Sequence, residues 1–315
     1  MTRIVVIHAG AIGDLVQTLP ALAAVRAARP GATVTLIGRP ERAVLARLAG
    51  AADACADLET SGLWRVAQGR PDGCPALAML AEADLVLDFL TRGALAAALP
   101  QVVTLDPLPP EGWADTAAAW IGGQVAERLG IAAPPHAPEI TLPEPAIATA
   151  RARLDGRGLG EPVLAIHPGS GSAKKNWPAA RFAAVAARAQ AELGLHIAWL
   201  AGPAELERGT MPAEALAAGA AVFADLALDE VAALLALADA YLGNDSGITQ
   251  VAAAVRRTDG RATPVVALFG PTDARVWGPR GRHVSVVRSA DGRMDGIAAD
   301  EVWAALRTVV GAGTA

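Results

Sequence analysis

Short β-rich runs alternate with longer helical patterns along almost the whole chain, and this rhythm restricts it to an α/β fold built on parallel sheets. Ile4 to His8 leads into a helix from about Asp14 to Ala28, and Thr33 to Ile37 into a helix from about Glu41 to Leu48. Strands at Leu85 to Phe89 and Val102 to Leu105 follow, then a helix through Asp115 to Leu129 that Gly130 closes. Between Ala132 and Pro145 five prolines surround a short run, and a helix from Pro145 to Leu154 ends in the glycine-rich stretch Gly156 to Gly160. This stretch is expected to be a domain junction. The rhythm then restarts with strands at Val163 to His167, His196 to Ala201, Ala221 to Phe223, Ala240 to Leu242 and Val265 to Phe269. Helices are expected over Pro178 to Leu193, Ala204 to Arg208, Asp229 to Ala238, Ser246 to Val255 and Ala298 to Val310. Two doubly wound halves, 1–157 and 158–315, suit 315 residues better than one very wide sheet.

Composition removes several functions. Mean hydropathy is positive, at +0.34, yet no run of 18 apolar residues is free of charge, so a membrane span is not expected. The net charge of -5 argues against a chain whose main work is to neutralise a nucleic-acid backbone. Cys55 and Cys74 form no metal-binding or redox motif and read as inert packing residues. Met1-Thr2-Arg3 runs into an apolar strand with no signal-peptide architecture, so a reducing cytoplasm is the expected location.

In open α/β sheets ligands gather at the carboxyl ends of strands, and three loops there can do chemistry. The first is His8-Ala9-Gly10-Ala11-Ile12-Gly13-Asp14. Its glycines allow a tight turn, and Asp14 enters the first turn of a helix, where it is either a base or a carboxylate favoured by the helix dipole. The spacing is G-x-x-G and no acidic residue follows the second strand, so a dinucleotide site is poorly supported, and an NADP preference would have to come through Arg39. The second loop, His167-Pro168-Gly169-Ser170-Gly171-Ser172-Ala173-Lys174-Lys175-Asn176-Trp177-Pro178, holds the chain's two lysines and opens a helix. It reads as an anion cradle without the glycine before Lys-Ser/Thr of an ATP-hydrolysing P-loop. The third, Leu242-Gly243-Asn244-Asp245-Ser246-Gly247-Ile248-Thr249, brings a second helix N-terminus, with Asp245 or Ser246 as its cap. A further turn, Phe269-Gly270-Pro271-Thr272-Asp273, follows the next strand. His8 and His167 end strands and are alternative bases or structural hydrogen-bonding groups. Trp177 either flanks a ligand or fills the core.

These blocks resemble glycosyltransferase family 9, the bacterial heptosyltransferases that use ADP-activated heptose. The resemblance spans nearly the whole chain and rests on Gly13-Asp14-Leu15-Val16 followed by Thr18-Leu19-Pro20-Ala21-Leu22, on Lys175-Asn176-Trp177-Pro178, on Asn244-Asp245-Ser246-Gly247 and on Phe269-Gly270-Pro271-Thr272-Asp273. It implies a GT-B architecture, two Rossmann-like domains facing across a cleft, the last helix packing back on the first. It implies inverting, metal-independent transfer with no cofactor beyond the ADP-sugar substrate. Asp14 would be the general base and Gly13 would lie on the acceptor side. Ser170, Gly171, Lys175, Asp245, Ser246 and Gly247 would hold the donor diphosphate, and Glu205 falls where the family contacts the nucleotide ribose.

The loop His167-Pro168-Gly169-Ser170-Gly171 stands where the lipopolysaccharide-core enzymes carry a threonine-rich segment, and the first half has no dense basic cluster for an anionic acceptor. Arg92, after the strand ending Asp88-Phe89, is the candidate acceptor contact, its alternative being an ordinary surface arginine. No Asp-x-Asp metal motif is present. The implied partners are a nucleotide sugar and a glycan or glycolipid acceptor. A lipid acceptor would bring peripheral contact with the inner leaflet without insertion. Two other classes fit the same loops: a GT-B nucleotide-sugar epimerase, which needs no acceptor, and a non-catalytic protein that binds a nucleotide sugar and leaves it intact.

Overall fold

A computed structural model of the chain describes residues 1–70, 72–133, 137–202, 205, 211 and 220–313. The chain divides into two compact units after Ile140. In the first, β1 (Arg3–Ile7), β2 (Thr33–Gly38), β3 (Ala54–Asp57), β4 (Leu85–Asp88) and β5 (Val102–Thr104) form a parallel sheet in the order β3-β2-β1-β4-β5. Its helices are α1 (Ile12–Ala28), α2 (Pro40–Leu48), the short α3 (Leu58–Ser61), α4 (Leu63–Ala67) and α5 (Ala76–Ala81), and α6 (Ala117–Leu129). One face of the sheet presents Val5, Ile7, Ile37 and Val86 to Leu63, Val66 and Leu80 of α4 and α5. Elsewhere in the unit α1 packs against α6. Thr116 caps α6 by accepting from Ala119 N at 3.0 Å, and Gly130, at φ +62°, ends it as the sequence leads one to expect.

The second unit has a six-stranded parallel sheet of β6 (Val163–His167), β7 (His196–Ala201), β8 (Ala221–Ala224), β9 (Ala240–Asn244), β10 (Val265–Phe269) and β11 (Val284–Arg288), in the order β11-β10-β9-β6-β7-β8. Its helices are α7 (Glu144–Asp155), α8 (Ala179–Leu193), α9 (Leu228–Leu237), α10 (Gly247–Ala254), the short α11 (Ala274–Trp277) and α12 (Ala299–Gly313). Strands β6, β9 and β10 are buried along their whole length, as strands covered on both faces must be.

Two expectations are corrected. The helix placed before the boundary at 157/158 belongs to the second unit: α7 buries Ile147, Ala150 and Leu154 and packs on α9, with Arg153 paired to Glu230, so the division falls at 140/141. The proline-rich run marks that division better than the glycines do, although Pro134 and Pro135 lie outside the described residues. Within the second unit α12 buries Val302, Leu306 and Trp303 against β9, β10, β11 and α8. Of the short helix expected at 204–208, only Glu205 lies among the described residues. Cys74 is a core residue, whereas Cys55, on the edge strand β3, is exposed rather than packed. No described helix is long and apolar enough to cross a membrane.

Candidate functional site

Each sheet reverses its strand order once, and the loops of interest hang from both reversals. In the first unit the chain winds outward from β1 through β2 and β3, then returns beside β1 with β4. In the second it winds from β6 through β7 and β8, then returns beside β6 with β9. At such a point successive helices leave toward opposite faces of the sheet, so a crevice opens at the carboxyl ends of the two central strands.

At the β1 end, α1 starts at Ile12, which puts Gly13 and Asp14 in its first turn. Gly13 therefore offers one of the backbone N–H groups without a helical partner, while the tight turn depends on Gly10. A β-carbon at Gly10 would lie 2.7 Å from both Asp14 Cβ and His8 Cε1. Half-buried Asp14 accepts from Ala11 N at 2.8 Å through Oδ2, so in this structure the carboxylate also closes the N-terminus of α1. Arg42 of α2 donates to Gly10 O at 2.8 Å and pins the same turn, a role that no local spacing announces.

His8 is buried and stands edge-on to Phe89, with ring centroids 5.8 Å apart. Thr18 donates its one hydroxyl proton to Asp14 O at 2.8 Å, so the 3.4 Å contact between Thr18 Oγ1 and His8 Nε2 requires Nε2 to donate. Burial pushes His8 down to about 4, against the upward pull of Asp14, and Arg42 adds to the lowering. The imidazole is thus neutral near pH 7. Unfolded, His8 takes up a proton as pH falls through 6.5, whereas folded it does so only near 4. The unfolded chain binds more protons in that interval, so His8 withdraws roughly 3 kcal/mol of stability as pH drops from 6.5 to 4. Urea unfolding of wild type and His8→Asn across this range should show the variant lacking that part of the slope.

At the β4 end Asp88 is fully buried and accepts from Leu90 N and Thr91 N, each at 2.9 Å, as well as from the Thr91 hydroxyl. This turn holds exposed Arg92 at φ +51°, a conformation that costs a non-glycine residue energy unless its surroundings impose it. Asp88 is a structural organiser that no local motif in the sequence marks.

In the second unit the β6 loop is held by Asn244, the last residue of β9. Its amide donates to Pro168 O at 2.7 Å and accepts from Trp177 N at 3.1 Å, joining both ends of the loop to the neighbouring strand. Trp177 is a core residue, 2% exposed, donating through Nε1 to Ile297 O at 3.0 Å. Asn244→Ala would strand two buried backbone groups and should lower unfolding stability by about 2 to 4 kcal/mol, measured by denaturant titration. Buried Ser170 braces the loop, Oγ lying 2.7 Å from Ser172 O and 2.6 Å from Asn176 Oδ1. Gly171 is exposed beside it.

Lys175 and Asp245, distant in sequence, meet at 2.7 Å between Nζ and Oδ2, the lysine side chain 32% exposed and the aspartate 11%. An ammonium has three N–H groups, so the pair leaves Lys175 with donors for a further anion. Lys174 is exposed. Ser246 caps α10 by accepting from Thr249 N at 3.3 Å, and Gly247 is the first residue of that helix. Lys175, Asp245, Ser246 and Gly247 therefore lie together at the β6/β9 reversal. Asp273 is engaged elsewhere, capping α11 and pairing with Arg275 at 2.9 Å.

Glu205 is buried, accepts from Gly202 N at 2.8 Å and lies 3.9 Å from His167 Nε2. The His167 ring is the main influence holding its carboxyl below the usual range, against burial, which pushes it up. Among the described residues no group of three or more His, Cys, Asp or Glu side chains is arranged to hold a metal ion.

Doubly wound parallel sheets gather ligands at such reversals, and here the class is a glycosyltransferase of GT-B fold. A family model described as glycosyltransferase family 9 (heptosyltransferase) matches residues 123–299, more than half of the chain. The protein belongs to that family. The matched span includes the second-unit loops and excludes the block around Asp14. A glycosyl transferase family 9 structure from Veillonella parvula DSM 2008 superposes with a TM-score of 0.81 at 22% identity, covering 99% of this chain and 98% of that one. E. coli ADP-heptose lps heptosyltransferase II gives 0.79 at 18%, covering 100% of both chains. E. coli heptosyltransferase WaaC with ADP gives 0.69 at 21%, covering 98% and 100%. No curated protein matches the sequence significantly.

Proposed function

We propose that this glycosyltransferase moves a sugar, heptose first among candidates, from an ADP-sugar to a hydroxyl of a glycan or glycolipid acceptor, with inversion and without a metal ion. The observation that carries the reading is the Lys175–Asp245 pair beside the capped N-terminus of α10. As the anomeric bond breaks, its electron pair passes to a diphosphate oxygen. A fixed ammonium and helix N–H groups receive that charge without reorganising. Ser170, Gly171, Lys175, Asp245, Ser246 and Gly247 form the diphosphate site in this reading, and Glu205 contacts the ribose. On the first unit Asp14 takes the proton of the attacking hydroxyl, with Gly13 and Arg92 on the acceptor side. A solved relative named for ADP-heptose and lps supports the donor and favours lipopolysaccharide or a similar glycoconjugate as the product. Work of this kind belongs in the cytoplasm, with peripheral contact at the inner leaflet if the acceptor is a lipid.

The test incubates purified protein with a panel of nucleotide sugars, with and without candidate acceptors, reading thermal shift, nucleotide release and the anomeric configuration of the product. ADP released only when acceptor is present, unaffected by chelator and with inverted configuration, is the expected result. Conversion of donor alone would favour the epimerase, and a thermal shift without turnover the non-catalytic binder.

A further inference from the structure

We propose that His167 is a positioning residue for the Glu205 carboxylate, and that through it the enzyme distinguishes a ribose from a deoxyribose donor; this rests on the reading of Glu205 as the ribose contact. Glu205 follows β7, yet its side chain lies across the backbone of the β6 loop. A β-carbon at Gly169 would overlap Glu205 Cγ and Oε1, and one at Gly202 would come 2.9 Å from Oε2. Two glycines on separate loops thus leave the room in which this carboxylate rests, next to the Ser170 turn.

A carboxylate so enclosed must be oriented by its neighbours. Gly202 N donates to Oε2 at 2.8 Å, and His167 Nε2 faces the same oxygen from 3.9 Å. His167 is itself 6% exposed, and its Nδ1 is buried with no hydrogen-bond partner among the described residues. A proton on Nδ1 would have no acceptor, so in the neutral ring it sits on Nε2 and points at Oε2. At 3.9 Å this is a directed dipole rather than a hydrogen bond. It favours the orientation that lays Oε1 over Gly169, and in the reading of Glu205 as the ribose contact this is the oxygen that a sugar hydroxyl meets.

Calorimetric titration of ADP and 2′-deoxy-ADP into wild type, Glu205→Gln, His167→Phe, His167→Gln and Gly169→Ala tests this. Wild type should prefer ADP by about tenfold or more, the worth of one charge-assisted hydrogen bond. Glu205→Gln should lose most of that preference. His167→Phe and Gly169→Ala should reduce it to within about threefold by weakening ADP and sparing 2′-deoxy-ADP, while His167→Gln, which keeps an N–H, retains most of it. A full preference in His167→Phe beside a lost one in Glu205→Gln overturns the positioning role and leaves Glu205 standing. A full preference in Glu205→Gln overturns the ribose contact and this inference with it. Should His167→Phe fail to melt cooperatively, His167→Asn, too short to bring an N–H to Oε2, is judged by the same two outcomes.

Discussion

Asp14→Asn lowers the rate of sugar transfer by roughly 10³-fold, within the span that general-base groups contribute, while the dissociation constant for ADP stays within a few-fold of wild type. The substitution separates the two things Asp14 does. Its Oδ2 accepts from Ala11 N at 2.8 Å, and an asparagine oxygen accepts the same bond, so the first turn of α1 keeps its closure. What disappears is the basic lone pair of a carboxylate. An alanine at 14 would confound the two losses, because it also unpairs the Ala11 N–H. Equal turnover in Asp14→Asn, measured at saturating donor, would remove Asp14 from the reaction and direct attention to another group near the β1 turn.

Lys175→Ala weakens ADP binding by about 10- to 100-fold and lowers turnover with it, the loss expected when a charge-assisted contact to a diphosphate is removed. A second effect follows from the ion pair. Asp245 is 11% exposed, and without the ammonium 2.7 Å away its carboxylate is enclosed and uncompensated, which should cost on the order of 2 kcal/mol of stability. Asp245→Asn in the Lys175→Ala background should recover part of the stability and little of the affinity. Calorimetry for binding and denaturant titration for stability keep the two effects apart. An unchanged ADP affinity in Lys175→Ala would remove the lysine from the donor site.

The repeating strand–helix pattern was legible because its signals are local: apolar runs such as Val163–His167 and Val265–Phe269, and stops such as Gly130. The strands that escaped were β3 and β11, both at sheet margins. Ala54–Asp57 has little β character, and Val284–Arg288 is only partly buried, so neither shows the continuous apolar run of a central strand. The unit boundary was misplaced because α7 reads equally well as the end of one half or the start of the next; only its packing on α9 decides. The candidate loops could be found from strand ends. What each side chain does inside them depends on partners far along the chain: Asn244 on Pro168 and Trp177, Lys175 on Asp245, Glu205 on Gly169. No spacing rule brings such pairs together.

Because the reversals sit in the middle of each sheet, the strands at the rims, β3, β5, β8 and β11, carry none of the proposed reacting groups. Lengthening a connection there costs only the slow rise of loop-closure entropy. A descendant can therefore acquire a new binding partner by elaborating its periphery while the chemistry at the hub stays as it was.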